Sequence, residues 1–262
     1  MQTPYRKLLF ASFVFLLCGG ASLRSQAGNA GAMVPADTGG VPFVGCKSDG
    51  QVGPLDAPTG QSPVTDLPAT VARRLAYYKA ENGVGVFAPR GWHCFSTYGS
   101  NGSNLFVTPE PIDPTILFSS GWKGFAGPAI QISVADGGTS GRFQVARVIA
   151  RVFPSHRQFV RSVIAEGIEP ASSFPAGPYP HDKLTYRDKN IVEFETPANA
   201  DGLGTDSRIQ PNSSPIRGVA ILLSDADTSL VQLSVRLPTQ DLDLEFAIIH
   251  QAERGSTAGE QR

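Results

Sequence analysis

The chain contains little charge, little cysteine and little methionine for its 262 residues. Charged residues make up 17%, and 22 Lys and Arg balance 23 Asp and Glu. This balance excludes the strongly basic composition of a nucleic-acid binder and the acidic composition of a disordered chain. No segment has the roughly 20 consecutive apolar residues of a membrane-spanning helix, so no transmembrane segment is expected. The 28 Gly and 21 Pro predict a folded chain with many turns.

Motifs of the common enzyme classes are also lacking. The sequence has no Gly-x-Ser-x-Gly elbow, no phosphate-binding Gly-x-x-x-x-Gly-Lys loop, no His-Glu-x-x-His and no dinucleotide-binding glycine fingerprint. No two of its four histidines are spaced as metal ligands on one element. We therefore expect no cofactor and no metal site, and we assign no residue a catalytic role. Weak calcium binding by oxygen ligands of the loop at 199–206 is an alternative that we do not favour.

The first thirty residues have the three parts of a secretory signal peptide. Arg6 and Lys7 precede a short apolar run at 8–17, and small residues follow it. We expect residues 1–27 to be cleaved after Ala27 and the mature protein to be periplasmic or secreted. Cleavage would remove three basic residues and no acidic ones, taking the net charge from −1 to −4. Lipid attachment at Cys18 is disfavoured, because Leu17 stands where a small residue is required.

Two cysteines, Cys46 and Cys94, remain after that cleavage. In an exported protein this pair predicts a disulfide bond, with two free buried thiols as the alternative. Residues 28–65 are rich in Gly and Pro and predict an extended arm, which a Cys46–Cys94 bond would tie to the rest of the protein. Residues 253–262 are predicted to be a frayed tail.

Residues 66–252 predict a single α+β domain with a sandwich-like arrangement. Its core would be a mostly antiparallel sheet of about six to eight strands with about four helices. Helices are predicted at Asp66–Ala80, Ser140–Phe153, Ser155–Glu166 with Ser155 as its cap, and Asp241–Gln251. Strands are predicted at Val84–Ala88, Trp92–Tyr98, Leu105–Thr108, Ala129–Ala135, Lys183–Thr196 as a hairpin, Val219–Leu223 and Val231–Leu237.

The hairpin at 183–196 allows its register to be predicted. A three-residue loop at 188–190 places Leu184 opposite Phe194 and Lys183 opposite Glu195, which gives one apolar face and one charge-paired face. The last predicted strand alternates in the same way, with Gln232, Ser234 and Arg236 on its polar face.

A cluster of basic residues is the feature that departs most from the average. Five arginines and no acidic residue lie between positions 137 and 165 of a chain that is net negative, namely Arg142, Arg147, Arg151, Arg157 and Arg161. Their spacing places them opposite the apolar stripes of the two predicted helices. The pattern indicates a basic surface for an anionic ligand, an envelope lipid or an acidic protein, against the alternative of an ordinary solvated helix face.

A catalytic reading of the sequence is also open. His93, Ser100 and Asp182 could form a nucleophile, base and carboxylate if the fold brought them together near Tyr98. That arrangement would make the protein a hydrolase of the cell envelope. It is the alternative to our first interpretation, an exported and non-catalytic binding or assembly module.

The corner at 88–92, Ala-Pro-Arg-Gly-Trp, resembles the Pro-x-Gly-Trp corner of exported PsbP-like domains. The later order of hairpin, long Gly- and Asp-rich loop, two long strands and terminal helix is similar as well. The closing Ser-Phe of that family is missing, and the Cys46 arm and the arginine-rich helices are not part of its pattern. The resemblance implies an αβα sandwich used in binding or assembly; fold analogy alone carries no function.

Overall fold

The computed structural model describes residues 40–224 and 227–259, so the predicted signal peptide lies outside the described residues. Eleven strands are present in this part of the chain. They are Phe43–Gly45 (β1), Ser48–Gly50 (β2), Leu75–Lys79 (β3), Val86–Pro89 (β4), His93–Gly99 (β5), Gly102–Thr108 (β6), Ala129–Ala135 (β7), Lys183–Tyr186 (β8), Ile191–Thr196 (β9), Ile216–Ser224 (β10) and Thr228–Arg236 (β11).

Five α-helices accompany these strands in the described residues. They are Ala69–Ala72 (α1), Pro114–Leu117 (α2), Arg142–Val152 (α3), Arg157–Ala165 (α4) and Glu245–Gly259 (α5). Short 3₁₀ turns at Pro154–His156 and Thr239–Leu244 lead into α4 and α5, and a third lies at Ala171–Ser173.

The strands form one large and one small sheet. The large sheet has the order β2-β5-β6-β7-β11-β10-β9-β8, and every neighbouring pair except β2 and β5 is antiparallel. The small sheet has the order β1-β3-β4. The α+β class and the mostly antiparallel sheet of up to eight strands are therefore confirmed, whereas the small sheet is an addition that we did not predict.

Each face of the large sheet packs against a different layer. On one face, α5 and the small sheet cover Ile130, Ile132, Val219 and Leu233, all of which are buried. On the other face, α3 and α4 cover alternate residues of the same strands, with Leu222 and Leu230 among them. The result is a layered, sandwich-like arrangement with apolar clusters on both sides of one sheet.

The disulfide prediction is confirmed. Cys46 and Cys94 are bonded, with their Cα atoms 5.4 Å apart. Cys46 follows β1 and Cys94 belongs to β5, so the bond joins the amino-terminal segment to the large sheet. In that segment, β1 pairs in parallel with β3 and β2 pairs in parallel with β5, which gives the chain at 43–50 backbone partners in both sheets.

The helix predicted at Asp66–Ala80 is wrong over most of its length. Only the four residues of α1 are helical, and the chain continues as β3. Leu75 and Tyr78 fit a helical spacing, but both are fully buried in a strand that pairs with β1 on one side and β4 on the other. Two adjacent tyrosines favour a strand, and pairing on both edges supplies the backbone hydrogen bonds that decide the outcome.

The later elements follow the prediction more closely. In the β8–β9 hairpin, Leu184 lies opposite Phe194 and Lys183 opposite Glu195, which confirms the predicted register. The cap predicted at Ser155 is wrong, because this residue lies inside a 3₁₀ turn and α4 has no side-chain cap. Helix α5 continues to Gly259, eight residues beyond its predicted end, and so covers most of the predicted frayed tail. No helix in the described part of the chain is long and apolar enough to cross a membrane.

Candidate functional site

A cleft lies where α3 leaves part of the large sheet uncovered. Its floor is formed by polar side chains of three adjacent strands, Asn104 of β6, Gln131 of β7 and Gln232 of β11. Its walls are α3, the segment at 173–179, the loop at 205–208 and Lys123, and its volume is about 670 Å³. We call this space the polar cleft.

Hydrogen bonds fix the amides of the floor. Gln131 donates from Nε2 to Asn104 Oδ1 over 3.1 Å and accepts from the backbone N–H of Arg208 over 2.6 Å. Gln232 donates from Nε2 to the carbonyl of Leu203 over 2.9 Å. Since both ends of the Gln131 amide are engaged, the floor is oriented before any ligand arrives.

The wall provided by α3 carries two of the five predicted arginines, Arg147 and Arg151. The guanidinium of Arg151 lies 4.0 Å from the centre of the Tyr179 ring and donates to the carbonyl of Gly177 over 3.3 Å. Tyr179 in turn donates its hydroxyl to Asp206 Oδ1 over 2.7 Å. The three side chains form a connected row along the wall, because a cation is attracted to the face of an aromatic ring.

Positive charge dominates the lining of the polar cleft. Four basic residues line it, Lys123, Arg147, Arg151 and Arg208, against the single carboxylate of Asp206. Arg147 also forms an ion pair of 2.8 Å with Glu169, and half of its side chain is exposed. The surrounding walls desolvate Asp206 and raise its pKa, although part of the side chain reaches water, and the bond from Tyr179 and the charge of Arg151 act in the opposite direction. Burial, followed by the contact with Asp206, raises the pKa of Tyr179 to about 12.

A buried arginine holds the loops that border the cleft. Arg236 of β11 is only 2% exposed and donates to the carbonyls of Phe125, Gly127 and Gln210 over distances of 2.5 to 3.1 Å. Phe125 also donates its backbone N–H to the carbonyl of Arg208. These bonds tie the loop that carries Lys123 to the loop that carries Asp206 and Arg208. Arg236 therefore sets the position of two walls of the polar cleft without lining it.

The polar face predicted for the last strand is covered by loops and is not exposed to solvent. Gln232, Ser234 and Arg236 are all buried, at 4%, 1% and 2% exposure. Alternation of apolar and polar residues indicates a strand with two unlike faces, and it does not say whether loops will cover the polar one. The run of polar positions on β7 and β11 is the signal by which the sequence could have located the cleft floor.

The five predicted arginines fall into three settings. Arg147 and Arg151 line the polar cleft, whereas Arg142 donates to both carboxylate oxygens of Glu166. Arg157 and Arg161 are exposed on α4, and neither forms an ion pair with another residue of the described part of the chain. Arg147 and Arg151 are among the residues that the sequence singled out, whereas the sequence gave no sign of Tyr179, Asp206 or Arg208, which reach the cleft from loops.

The residues of the hydrolase alternative do not meet. His93 begins β5 and Ser100 follows its end, so seven residues of extended chain separate them by about 23 Å. Asp182 adjoins β8, six strand spacings from β5, on the order of 29 Å across the sheet. Asp182 instead accepts hydrogen bonds from Thr196 and from the N–H of Leu203, which makes it an anchor for a loop. The alternative prediction of a triad formed by these three residues is therefore wrong.

A second cluster of polar side chains lies on the opposite face of the sheet. Glu193, His250 and Glu253 each offer a metal-ligand atom within 4.8 Å of the other two. The expectation that no metal site exists relied on pairs of histidines, so it did not consider one histidine with two glutamates.

Comparisons with family models, with curated proteins and with solved structures find no match to the chain. Its function has to be argued from the polar cleft and from this cluster.

Proposed function

We propose that the protein is an exported, non-catalytic binding module that holds a small organic anion in the polar cleft. The observation that carries this proposal is the convergence of four cationic side chains above a floor of fixed amides. Arginine and lysine donate charge-assisted hydrogen bonds to carboxylate or phosphate oxygens. The amides of Asn104 and Gln232 suit the hydroxyl groups of the same ligand.

The size and chemistry of the cleft favour a small molecule over a macromolecular partner. A volume of about 670 Å³ falls within the range of about 300–1,000 Å³ typical of small-molecule sites. Arg151 belongs to α3 and Arg208 to the loop at 205–208, so the cationic lining comes from more than one wall of the cleft. An envelope lipid or an acidic protein would instead need cations spread over an outer surface, such as that of α4.

Three of the four hydroxyl-bearing residues that line the cleft are engaged in structural bonds within the described part of the chain, the exception being Ser173. Thr205 donates to the carbonyl of Gly202, Ser207 donates to that of Gly204, and Tyr179 donates to Asp206. A nucleophilic hydroxyl would need a base to accept its proton. These hydroxyls give their protons to partners that hold the loop together, which supports binding over covalent catalysis.

The exported location is part of the proposal. The disulfide between Cys46 and Cys94 suits an oxidising compartment, and the first 27 residues have the pattern of a signal peptide.

Two matched double variants test the proposal. Arg147→Gln with Arg151→Gln removes two charges one helical turn apart in the cleft, and Arg157→Gln with Arg161→Gln removes two at the same spacing on α4. Titration calorimetry would use inorganic phosphate, citrate and a hexuronate, with glucose as the neutral control. We expect one of the anions to bind the wild type saturably, the cleft variant to bind at least tenfold more weakly, and the α4 variant to bind within about twofold of wild type.

Several outcomes would overturn this proposal. Equal loss in both variants would indicate a diffuse basic surface and a lipid or protein partner. Unchanged binding in the cleft variant, or absence of binding by all three anions, would remove the cleft as the site. The α4 variant should unfold near the wild-type temperature, because substitutions of exposed charges usually change stability by less than about 0.5 kcal/mol. The cleft variant also loses the contact of Arg151 with Tyr179 and the ion pair of Arg147 with Glu169, so its thermal unfolding is measured first and its binding is compared at a temperature at which it is folded.

A further inference from the structure

Glu193, His250 and Glu253 meet between the large sheet and its carboxyl-terminal helix. Glu193 belongs to β9, and the other two lie three residues apart on α5, on one side of that helix. Helix α5 packs on the face of the sheet to which Glu193 points, so the fold brings together residues separated by about sixty positions. This cluster lies apart from the polar cleft, which is on the other face.

The separations within the cluster suit one bound ion. One ligand atom from each residue lies within 4.8 Å of the other two, and His250 Nδ1 lies 3.5 Å from Glu253 Oε2. Ligands about 2.1 Å from a tetrahedral ion are about 3.4 Å apart. Binding of an ion would therefore draw the most distant of these atoms closer together.

The neighbouring residues hold these side chains in place. Arg187 donates two hydrogen bonds to one oxygen of Glu193, Oε1, from Nε over 2.8 Å and from Nη2 over 2.5 Å. The Phe246 ring lies 4.0 Å from the His250 ring, centre to centre. Hydrogen-bonded carboxylates are typical of metal ligands, whose orientation depends on such partners.

The environment also favours a cation. Glu253 has only 12% of its side chain exposed and lies beside the carboxylate of Glu193, which Arg187 already pairs with. A cation between the two carboxylates would offset the repulsion between them. His250 Nε2 is buried and accepts or donates no hydrogen bond within the described residues. Three ligands from the chain would leave a coordination position free, and Glu193 borders a groove of about 440 Å³ through which water could reach it.

We propose that Glu193, His250 and Glu253 form a site for one divalent transition-metal ion of the Zn²⁺ class. An imidazole with two carboxylates suits zinc and its neighbours, whereas Ca²⁺ and Mg²⁺ prefer oxygen ligands alone. The site is independent of the proposed anion binding. Removing Arg147 and Arg151 should leave it unchanged.

Zinc titration of the untagged mature protein, after treatment with EDTA and dialysis, tests this site. Competition with a chromogenic chelator should give one Zn²⁺ per chain with a dissociation constant of about 1 µM or below. Glu253→Gln and His250→Gln should each weaken binding at least tenfold. Glu195→Gln, on the same strand face but paired with Lys183 and Arg217, and His93→Gln, an exposed histidine elsewhere, should bind within about twofold of wild type.

A second measurement, of histidine ring resonances by NMR, uses the wild-type protein and so does not require any variant to fold. In the wild-type protein, zinc should shift the ring resonances of His250 and leave those of His93, His156 and His181 in place. Co²⁺ in the same site should show the visible absorption of a low-coordinate ion. Binding only at millimolar zinc, shifts at other histidines, or equal loss in the control variants would overturn the proposal.

Discussion

The two faces of the large sheet use alternate residues of the same strands, yet they differ in chemistry. On the face below α5, β7 and β11 present Ile130, Ile132, Leu233 and Val235, all of them buried. On the other face the same strands present polar residues such as Gln131, Gln232 and Arg236. One face is a continuous apolar core, and the other is part core and part polar cleft.

The comparison shows how a fold can position a polar site without weakening its core. Helices α3 and α4 cover only the apolar half of their face, and loops cover the polar half. Because those loops attach through hydrogen bonds to Arg236, the polar half is stabilised by directional contacts and the apolar half by burial. Substitutions on the two faces should therefore have different consequences.

The largest expected effect concerns the bond that joins the amino-terminal segment to the sheet. Replacing Cys46 and Cys94 together with Ser opens a loop that spans 48 positions and should lower the free energy of unfolding by up to about 4 kcal/mol. Hydrogen exchange should show that β1 and β2 lose protection well before β7 and β11. Simultaneous loss in all four strands would show instead that the segment and the sheet unfold as one unit.

Truncating a side chain of the apolar face should lower the stability strongly and leave anion binding unchanged. Leu233→Ala removes a fully buried side chain and should cost about 3 kcal/mol, which chemical denaturation would measure. Anion binding by the folded variant should stay within about twofold of wild type. A tenfold loss of binding would contradict the separation of the two faces.

The polar face should respond with a loss of both stability and binding. Arg236→Met keeps much of the side-chain volume but leaves the carbonyls of Phe125, Gly127 and Gln210 without their donor, at a cost of about 2 kcal/mol. Because the loops that carry Lys123 and Arg208 would lose their anchor, calorimetry should also show weaker anion binding. A variant that binds normally would mean that the loops keep their positions without Arg236.

Local patterns in the sequence predicted the elements whose partners are also local. The pairing of Leu184 with Phe194 follows from a short hairpin, and the predicted register is the observed one. The strand at Leu75–Lys79 was missed, because its identity depends on pairing with β1 and β4, more than thirty and about ten positions away. A spacing that suits a helix could not reveal that competition.

The candidate sites were harder to predict for the same physical reason. Arg147 and Arg151 stood out through their spacing on one helix, while Asp206 and Lys123 reach the cleft from loops that Arg236 and other hydrogen bonds hold. The cluster around Glu193 requires α5 to pack across the sheet. His250 lies on the predicted last helix, but Glu253 lies in the predicted frayed tail, and only the longer observed helix places the two on one element.

The smallest expected effect concerns the one carboxylate of the polar cleft. Asp206→Asn keeps an oxygen that can accept from Tyr179 and removes the negative charge, so anion affinity at neutral pH should rise about threefold, as for a partly screened charge. Desolvation raises the pKa of Asp206 above its ordinary 3.8 against the opposing effects of Tyr179 and Arg151, with Asp182 raising it further.

The raised pKa fixes the direction of the pH dependence. Wild-type Asp206 is protonated more readily in the folded protein, so its contribution to stability is complete below pH 3.8 and is lost as the pH rises through the raised value. Anion binding by the wild type should strengthen as the pH falls through the same range, and the gap to Asp206→Asn should close. Calorimetry from pH 4 to pH 7 would measure the anion affinity of the wild type and of Asp206→Asn. Glu110→Gln serves as an exposed control outside the cleft. A gap that stays constant over this range would show that Asp206 does not face the bound anion.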